Sequence, residues 1–156
     1  VLVSIFADAS ACPKTHVAAW GAYCRSDRGV TWEGAALKGS YRVSGDAEMH
    51  ALVNSVCLAF RNGIARPGDI LLLQSDCAEA IRMLKNEQPA RRRESKAGLV
   101  EMLRLTAKKN VKITYRHVKG HSGVDSGRFA ANNHCHELAI QAMRQKRDSI
   151  LGKPWM

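Results

Sequence analysis

The spacing of apolar residues changes once along the chain, and this change limits the folds available to it. Before residue 44, three short segments rich in β-branched and aromatic residues are predicted to be strands: 1–6, 17–25 and 30–37. The turn at 26–29 ends in glycine, so these strands are expected to form an antiparallel meander. From Ser44, apolar residues recur at steps of three and four, which predicts a helix ending near Asn62, with Ser44 or Asp46 as its N-cap.

The second half of the chain alternates strands with helices. Residues 70–74 form an apolar run typical of a central parallel strand, and 111–118 is predicted to be a fifth strand. Helices are predicted over 77–85, 95–109 and 127–144. The order β-β-β-α-β-α-α-β-α predicts an α/β fold, a five-stranded mixed sheet with helices on its faces. The folded domain is expected to cover 1–147, followed by a loose tail at 148–156.

Composition excludes several classes of protein. A chain of 156 residues with 46% hydrophobic residues is expected to form one domain with its own core. No apolar run approaches the roughly 18 to 20 residues that span a bilayer, and the apolar opening at 1–7 lacks the basic leader of a signal peptide. We therefore expect a cytoplasmic protein without a membrane partner, acting as a monomer. Five cysteines without a C-x-x-C pair predict neither a disulfide framework nor a zinc ribbon.

Positive charge is concentrated in one part of the chain. Residues 82–119, here called the basic segment, hold 12 basic and 3 acidic side chains, a net charge of +9 out of +10 for the whole chain. Such a concentration, with three consecutive arginines at 91–93, is expected of a surface that neutralises phosphates. The alternative is a solvated helix face that only keeps the protein in solution.

Three carboxylates occupy informative positions in a chain that has few of them. Asp8 is predicted at the end of the first strand, Asp76 just after the fourth, and Glu48 in the first turns of the first helix. If they converged, they would repel one another unless cations neutralised them, and hard oxygen ligands suit Mg²⁺ or Mn²⁺. A pair of such ions commonly supports attack of water on a phosphodiester. The alternative is that the two aspartates only cap turns.

Five short motifs follow one another on these elements and together cover residues 1–142. They are Asp8-Ala9-Ser10, Glu48-Met49-His50-Ala51-Leu52, Ser75-Asp76-Cys77, the segment H-V-K-G-H-S-G at 117–123, and N-N-H-C-H-E-L-A at 132–139. The chain thereby resembles the type 1 ribonucleases H, whose motifs are D-G-S, E-L-x-A, T-D-S, W-V-K-G-H-x-G and N-x-x-C-D-E-L-A. Each motif alone is weak, but their order on the predicted elements is specific.

This resemblance implies a ribonuclease H-like fold and an endonuclease that hydrolyses the RNA strand of RNA/DNA hybrids. Asp8, Glu48 and Asp76 would be catalytic and would hold two ions, Mg²⁺ or Mn²⁺. His121 resembles the family histidine that manages protons and product release, although a solvated loop histidine is the alternative. The residues expected to contact nucleic acid are Arg91, Arg92, Arg93, Lys96, Lys119 and Asn132.

The chain departs from the family pattern at four positions. His136 stands in place of the fourth carboxylate; as a catalytic metal ligand it would supply one imidazole nitrogen and favour Mn²⁺, and otherwise it would only pack or hydrogen-bond beside the site. Ala9, Gly45 and Ala78 replace family residues that contact the RNA strand. Two other functions therefore stay open: a structure-selective DNA nuclease like the junction resolvases, and a duplex-binding module with weakened catalysis.

Overall fold

The order of strands and helices agrees with the predicted α/β architecture. The computed structural model describes residues 1–119 and 127–152, with the side chains of 127–129 excepted. The strands are β1 (Leu2–Ala11), β2 (Ala18–Ser26), β3 (Gly29–Ala36), β4 (Ile70–Ser75) and β5 (Lys112–His117). The helices are α1 (Ser44–Arg61), α2 (Ala78–Leu84), α3 (Arg93–Lys109) and α4 (Gly127–Ile150).

One mixed sheet organises the chain, with its strands in the order β3-β2-β1-β4-β5. The antiparallel pairs β1–β2 and β2–β3 form the predicted meander, and β4 joins β1 in parallel before β5 extends the sheet. Phe6 pairs with Gln74 in the β1–β4 register. The central strands β1 and β4 therefore run in the same direction, and β4 ends level with Ala7, at the carboxyl-terminal end of the sheet where ligands bind in many α/β proteins.

The two faces of the sheet are covered by different helices. Ile5 belongs to the main core together with Leu52 of α1, and α3 packs against α1. Phe6, the next residue, belongs to a separate cluster with Cys135 of α4. Because successive side chains of a strand point to opposite faces, α1 and α4 lie on opposite sides of β1.

Two glycines bring α4 close to the sheet. A Cβ atom on Gly21 of β2 would collide with the carbonyl oxygen of Cys135, and one on Gly34 of β3 would lie 2.7 Å from the carbonyl oxygen of Leu138. Only residues without a side chain permit this backbone approach. The approach fixes the position of α4, and with it the positions of the histidines that α4 carries.

Several boundaries differ from the prediction for physical reasons. β1 continues past Asp8 to Ala11, because residues 8–11 pair with β2, so Asp8 lies inside the strand. The N-cap of α1 is Val43, which makes no side-chain hydrogen bond, and not Ser44 or Asp46 as predicted. The Asp46 carboxylate instead pairs with Arg92. α4 continues to Ile150, beyond the predicted end at 144, and the proposed domain boundary at 147 falls within it. Its last turns are polar and gave no apolar period to follow.

Two further features of the described residues concern membrane spans and the cysteine thiols. None of the helices in the described ranges is both long and apolar enough to cross a membrane. The five cysteines are free thiols, and Cys12, Cys24 and Cys135 are buried. Burial raises the pKa of the Cys24 thiol to about 12, so this cysteine stays a neutral core residue.

Candidate active site

Three carboxylates from different elements meet at the carboxyl-terminal edge of the central strands. The pairing of Phe6 with Gln74 brings Asp8 level with Asp76, which follows β4 directly. α1 packs against β1 and presents Glu48 from its second turn. One oxygen of each of these three carboxylates lies within 4.8 Å of the other two. The structure thus brings together the three acidic residues that the sequence analysis selected.

A single backbone group holds two of these carboxylates in place. The N–H of Ala9 donates to Oδ1 of Asp8 at 2.9 Å and to Oε1 of Glu48 at 3.2 Å. A hydrogen bond donated to an ionised carboxylate is stronger than one between neutral groups. Both side chains are almost fully buried, so this shared donor fixes their separation without help from bulk water.

Burial and neighbouring charges make ionisation of Glu48 costly. Its Oε2 atom is buried and has no hydrogen-bond partner among the described residues. Burial, together with the negative charges of Asp8 and Asp76, raises the pKa of the Glu48 carboxyl well above its usual range. An unpartnered carboxylate oxygen beside two further carboxylates is a donor set that suits a hard divalent cation. Asp8, Glu48 and Asp76 are therefore the residues that fit a metal ion.

His136 reaches this cluster through Asp8. Its Nδ1 atom donates to Oδ2 of Asp8 at 2.9 Å, across a separation of 128 residues in sequence. The compact group of three carboxylates does not include the imidazole, among the residues that the structure describes. The described geometry thus shows His136 beside the cluster and holding one of its members, and its predicted role as a metal ligand stays a prediction.

Arg92 braces the helix that carries Glu48. Its Nε atom donates to both carboxylate oxygens of Asp46, at 3.1 and 2.9 Å, and a terminal nitrogen donates to Oε1 of Glu79 at 3.0 Å. Asp46 is in the first turn of α1 and Glu79 in the first turn of α2. The guanidinium therefore ties the starts of α1, α2 and α3 together. Sequence analysis grouped Arg92 with its neighbours as a phosphate ligand and missed this contact, which joins residues 46 positions apart and has no local signal in the sequence.

The other predicted nucleic-acid contacts are divided between surface and interior. Arg91, Arg93, Lys96 and Lys119 are exposed, and none of them makes an ion pair with a described residue. Asn132 is buried, and its Oδ1 atom has no hydrogen-bond partner within the described ranges. Exposed, unpaired cations are what phosphate contact requires, and these four side chains meet that condition.

Of two further predicted site residues, one can be placed on α4. His121 lies outside the described residues. Asn132 precedes His136 by four residues on α4, a spacing that places both on one face of the helix. The buried amide of Asn132 is therefore on the side of α4 from which His136 contacts Asp8.

Solved structures of ribonuclease H domains share this fold. The N-terminal RNase H domain of rv2228c from Mycobacterium tuberculosis has a TM-score of 0.75 at 19% identity, covering 96% of this chain and 99% of that one. RNase H1 from the halophilic archaeon Halobacterium salinarum has a TM-score of 0.72 at 19% identity, with 93% and 99% covered. LC11-RNase H1, isolated from compost and solved with an RNA/DNA hybrid, has a TM-score of 0.72 at 12% identity, with 93% and 99% covered.

The sequence itself supplies the family assignment. Among curated proteins, none matches the chain significantly. The family model for RNase H, however, matches residues 2–144, a range that contains Asp8, Glu48, Asp76 and His136. With this match over most of its length and with the sheet order, helix order and carboxylate cluster described above, the chain belongs to the ribonuclease H family.

Proposed function

We propose that this chain is a metal-dependent endonuclease that hydrolyses the RNA strand of RNA/DNA hybrids. The observation that carries the proposal is the cluster of Asp8, Glu48 and Asp76 within 4.8 Å in a chain of the ribonuclease H family. Carboxylates at this separation repel one another, and burial increases the cost of their ionisation. Divalent cations offset both the repulsion and the cost of ionisation. Mg²⁺ and Mn²⁺ are the ions that prefer such oxygen ligands.

The chain contributes a prearranged set of ligands to this chemistry. When bound, a pair of such ions promotes in-line attack of water on the phosphodiester and stabilises the leaving oxygen. The Ala9 N–H holds Asp8 and Glu48 at a fixed distance from each other, and the Nδ1 atom of His136 orients Asp8. Arg92 holds the first turn of α1 and so limits movement of Glu48. Little reorganisation is then needed when the substrate arrives.

Hybrid recognition is supported by the surface and by a structural neighbour. LC11-RNase H1 was solved in complex with an RNA/DNA hybrid. In this chain, the exposed Arg91, Arg93 and Lys96 lie at the start of α3 and within the basic segment. Their charges are suited to the phosphates of a duplex, which position the substrate without reading its sequence.

His136 gives this site a different balance of charge from a four-carboxylate site. A neutral imidazole provides one nitrogen donor and no negative charge. The chain should therefore bind Mg²⁺ more weakly than a variant with aspartate at this position, and it should use Mn²⁺ relatively well. This substitution is also the observation that favours the second candidate function, a duplex-binding module with weakened catalysis.

A panel of four substrates tests the proposal. The protein is incubated with a labelled RNA/DNA hybrid, duplex RNA, duplex DNA and a four-way DNA junction, each with Mg²⁺, Mn²⁺ or EDTA. We expect cleavage of the RNA strand of the hybrid with either metal and no cleavage in EDTA. Cutting of the junction in preference to the hybrid would favour the resolvase alternative. Tight hybrid binding without cleavage in either metal would favour the binding module.

A further inference from the structure

A cavity lies on the face of the sheet that α4 covers only in part. It has a volume of about 560 Å³ and is bordered by the first turns of α4. The sheet residues that line it are Ser4, Phe6, Tyr23, Arg25, Gln74 and Arg116. Its volume is within the usual range of about 300–1,000 Å³ for small-molecule sites. None of the carboxylates of the candidate active site lines it.

Two histidines of α4 separate this cavity from the carboxylate cluster. His134 lines the cavity, whereas His136 contacts Asp8. Residues two positions apart on a helix point in directions that differ by about 200°. The cavity and the carboxylates therefore lie on opposite sides of α4.

The floor of the cavity is polar although it belongs to the two central strands. Gln74 is only 1% exposed, and its Nε2 atom donates to Oγ of Ser4 at 2.9 Å. Most of the other residues of β1 and β4 are apolar. A buried amide is costly in a sheet unless its polar groups are used. Its carbonyl oxygen makes no hydrogen bond to a residue of the described ranges.

The cavity is flanked by two guanidinium groups that have no acidic partner among the described residues. Arg25 extends from β2 and Arg116 from β5, and both are exposed. Neither makes an ion pair with a residue of the described ranges, in contrast to Arg28 and Arg92. β2 and β5 are separated by three strand spacings, or about 14 Å. This separation suits a ligand that has a body as well as a negative charge better than it suits a small inorganic anion.

Aromatic rings form a wall on the β2 side of the cavity, next to Arg25. Tyr23 pairs with Phe6 on β1 and stacks on Trp32 of β3, with ring centroids 6.5 Å apart and planes at 14°. The ring of His134 lies 6.0 Å from that of Tyr23 and 5.7 Å from that of Trp32. These mutual contacts hold the rings in place before any ligand binds, which lowers the entropy lost on binding.

We infer that this cavity binds a nucleotide, with its phosphate at Arg116 and its base against the aromatic wall beside Arg25. Planar guanidinium groups are the side chains best suited to phosphate, and aromatic rings are the usual platform for an unpaired base. The amide of Gln74 and the hydroxyl of Ser4 can form hydrogen bonds with the base or sugar edge. The ligand is either a free nucleoside monophosphate or one nucleotide of a single strand, and both present the same phosphate and base.

Titration of the ¹⁵N-labelled protein with adenosine 5′-monophosphate in EDTA tests this inference independently of cleavage. EDTA removes divalent ions, so failure of the nuclease proposal would leave the result unaffected. We expect shifts of the amide signals of Ser4, Phe6 and Gln74 and a saturable affinity. Adenosine and inorganic phosphate, tested separately, should each bind at least about tenfold more weakly than the nucleotide, because each makes only one part of the contacts. A short oligodeoxyadenylate that shifts the same signals at lower concentration identifies a strand as the source; equal affinity identifies the free nucleotide.

Paired variants make the test specific to the cavity. Arg25→Ala/Arg116→Ala should weaken the affinity about tenfold or more, and Arg25→Gln/Arg116→Gln, which keeps side-chain length, should do the same. The control Arg66→Ala/Arg144→Ala removes the same charge from two exposed arginines that lack ion pairs to described residues, and it should change the affinity less than about twofold. Wild-type affinity in both arginine pair variants would overturn the inference. So would signal shifts confined to the basic segment, or inorganic phosphate binding as tightly as the nucleotide.

Discussion

Replacing Arg92 with alanine should destabilise the protein far more than replacing either neighbouring arginine. The Arg92 side chain is 41% exposed, but the Asp46 carboxylate that it binds is only 4% exposed. Removing one partner of a fully buried ion pair costs about 3–5 kcal/mol, and removing one partner of an exposed pair costs at most about 1 kcal/mol. Since one partner is buried and the other is in contact with water, we expect Arg92→Ala to lower the free energy of unfolding by about 1.5–3 kcal/mol. Arg93→Ala, the matched control on the surface, should change it by less than about 0.5 kcal/mol.

Urea unfolding in EDTA, followed by circular dichroism, measures these differences without a contribution from bound metal. A double-mutant cycle with Asp46→Ala isolates the pair, and we expect a coupling energy of at least about 1 kcal/mol. The reasoning would be refuted if Arg92→Ala and Arg93→Ala unfolded at the same urea concentration. A coupling energy near zero would refute it as well. Either result would return Arg92 to the group of phosphate-contacting residues.

The remaining predictions concern the substrate surface, the carboxylates and the packing of α4. Arg91→Ala/Arg93→Ala should reduce the slope of log Kd against log salt concentration by about 1–2 for an RNA/DNA hybrid, measured by fluorescence anisotropy. Because the pKa of Glu48 is raised, the native protein keeps a proton that the unfolded chain releases. The metal-free protein should therefore lose stability as pH rises above about 4.5. Glu48→Gln should remove this loss, measured by thermal unfolding between pH 5 and 8. His136→Asp should tighten Mg²⁺ binding in calorimetry and reduce the advantage of Mn²⁺ in cleavage assays. Gly21→Ala should destabilise the protein by about 2–3 kcal/mol or more in urea unfolding, because its Cβ would meet the backbone of α4.

The element order could be predicted because hydrophobic period and turn residues report local structure. The change from strand to helix spacing at Ser44 and the apolar run at 70–74 both correspond to observed elements. The end of α4 could not be predicted, since its last turns are exposed and polar. The extent of β1 depends on pairing with β2, which is a tertiary contact and leaves no periodic signal at Asp8.

The candidate site shows the same division between local and tertiary information. Asp8, Glu48 and Asp76 were identifiable from their places on predicted elements, and the structure brings them together. The pairing of Arg92 with Asp46 joins residues 46 positions apart, so charge density alone made Arg92 look like a phosphate ligand. The Asp8–His136 contact likewise depends on the close approach of α4, which the glycines of β2 and β3 permit.

The rate of RNA-strand cleavage by Asp76→Asn, at saturating enzyme and in Mn²⁺, is the most direct test that the carboxylate cluster carries the activity. Asparagine keeps the shape of the side chain and removes its charge, and Asp27→Asn, in the exposed turn between β2 and β3, is the matched control. We expect Asp76→Asn to lose cleavage by about two orders of magnitude or more while its affinity for the hybrid stays within about twofold, and Asp27→Asn to behave as the wild type. Cleavage by Asp76→Asn at the wild-type rate would contradict the assignment of this cluster as the metal site.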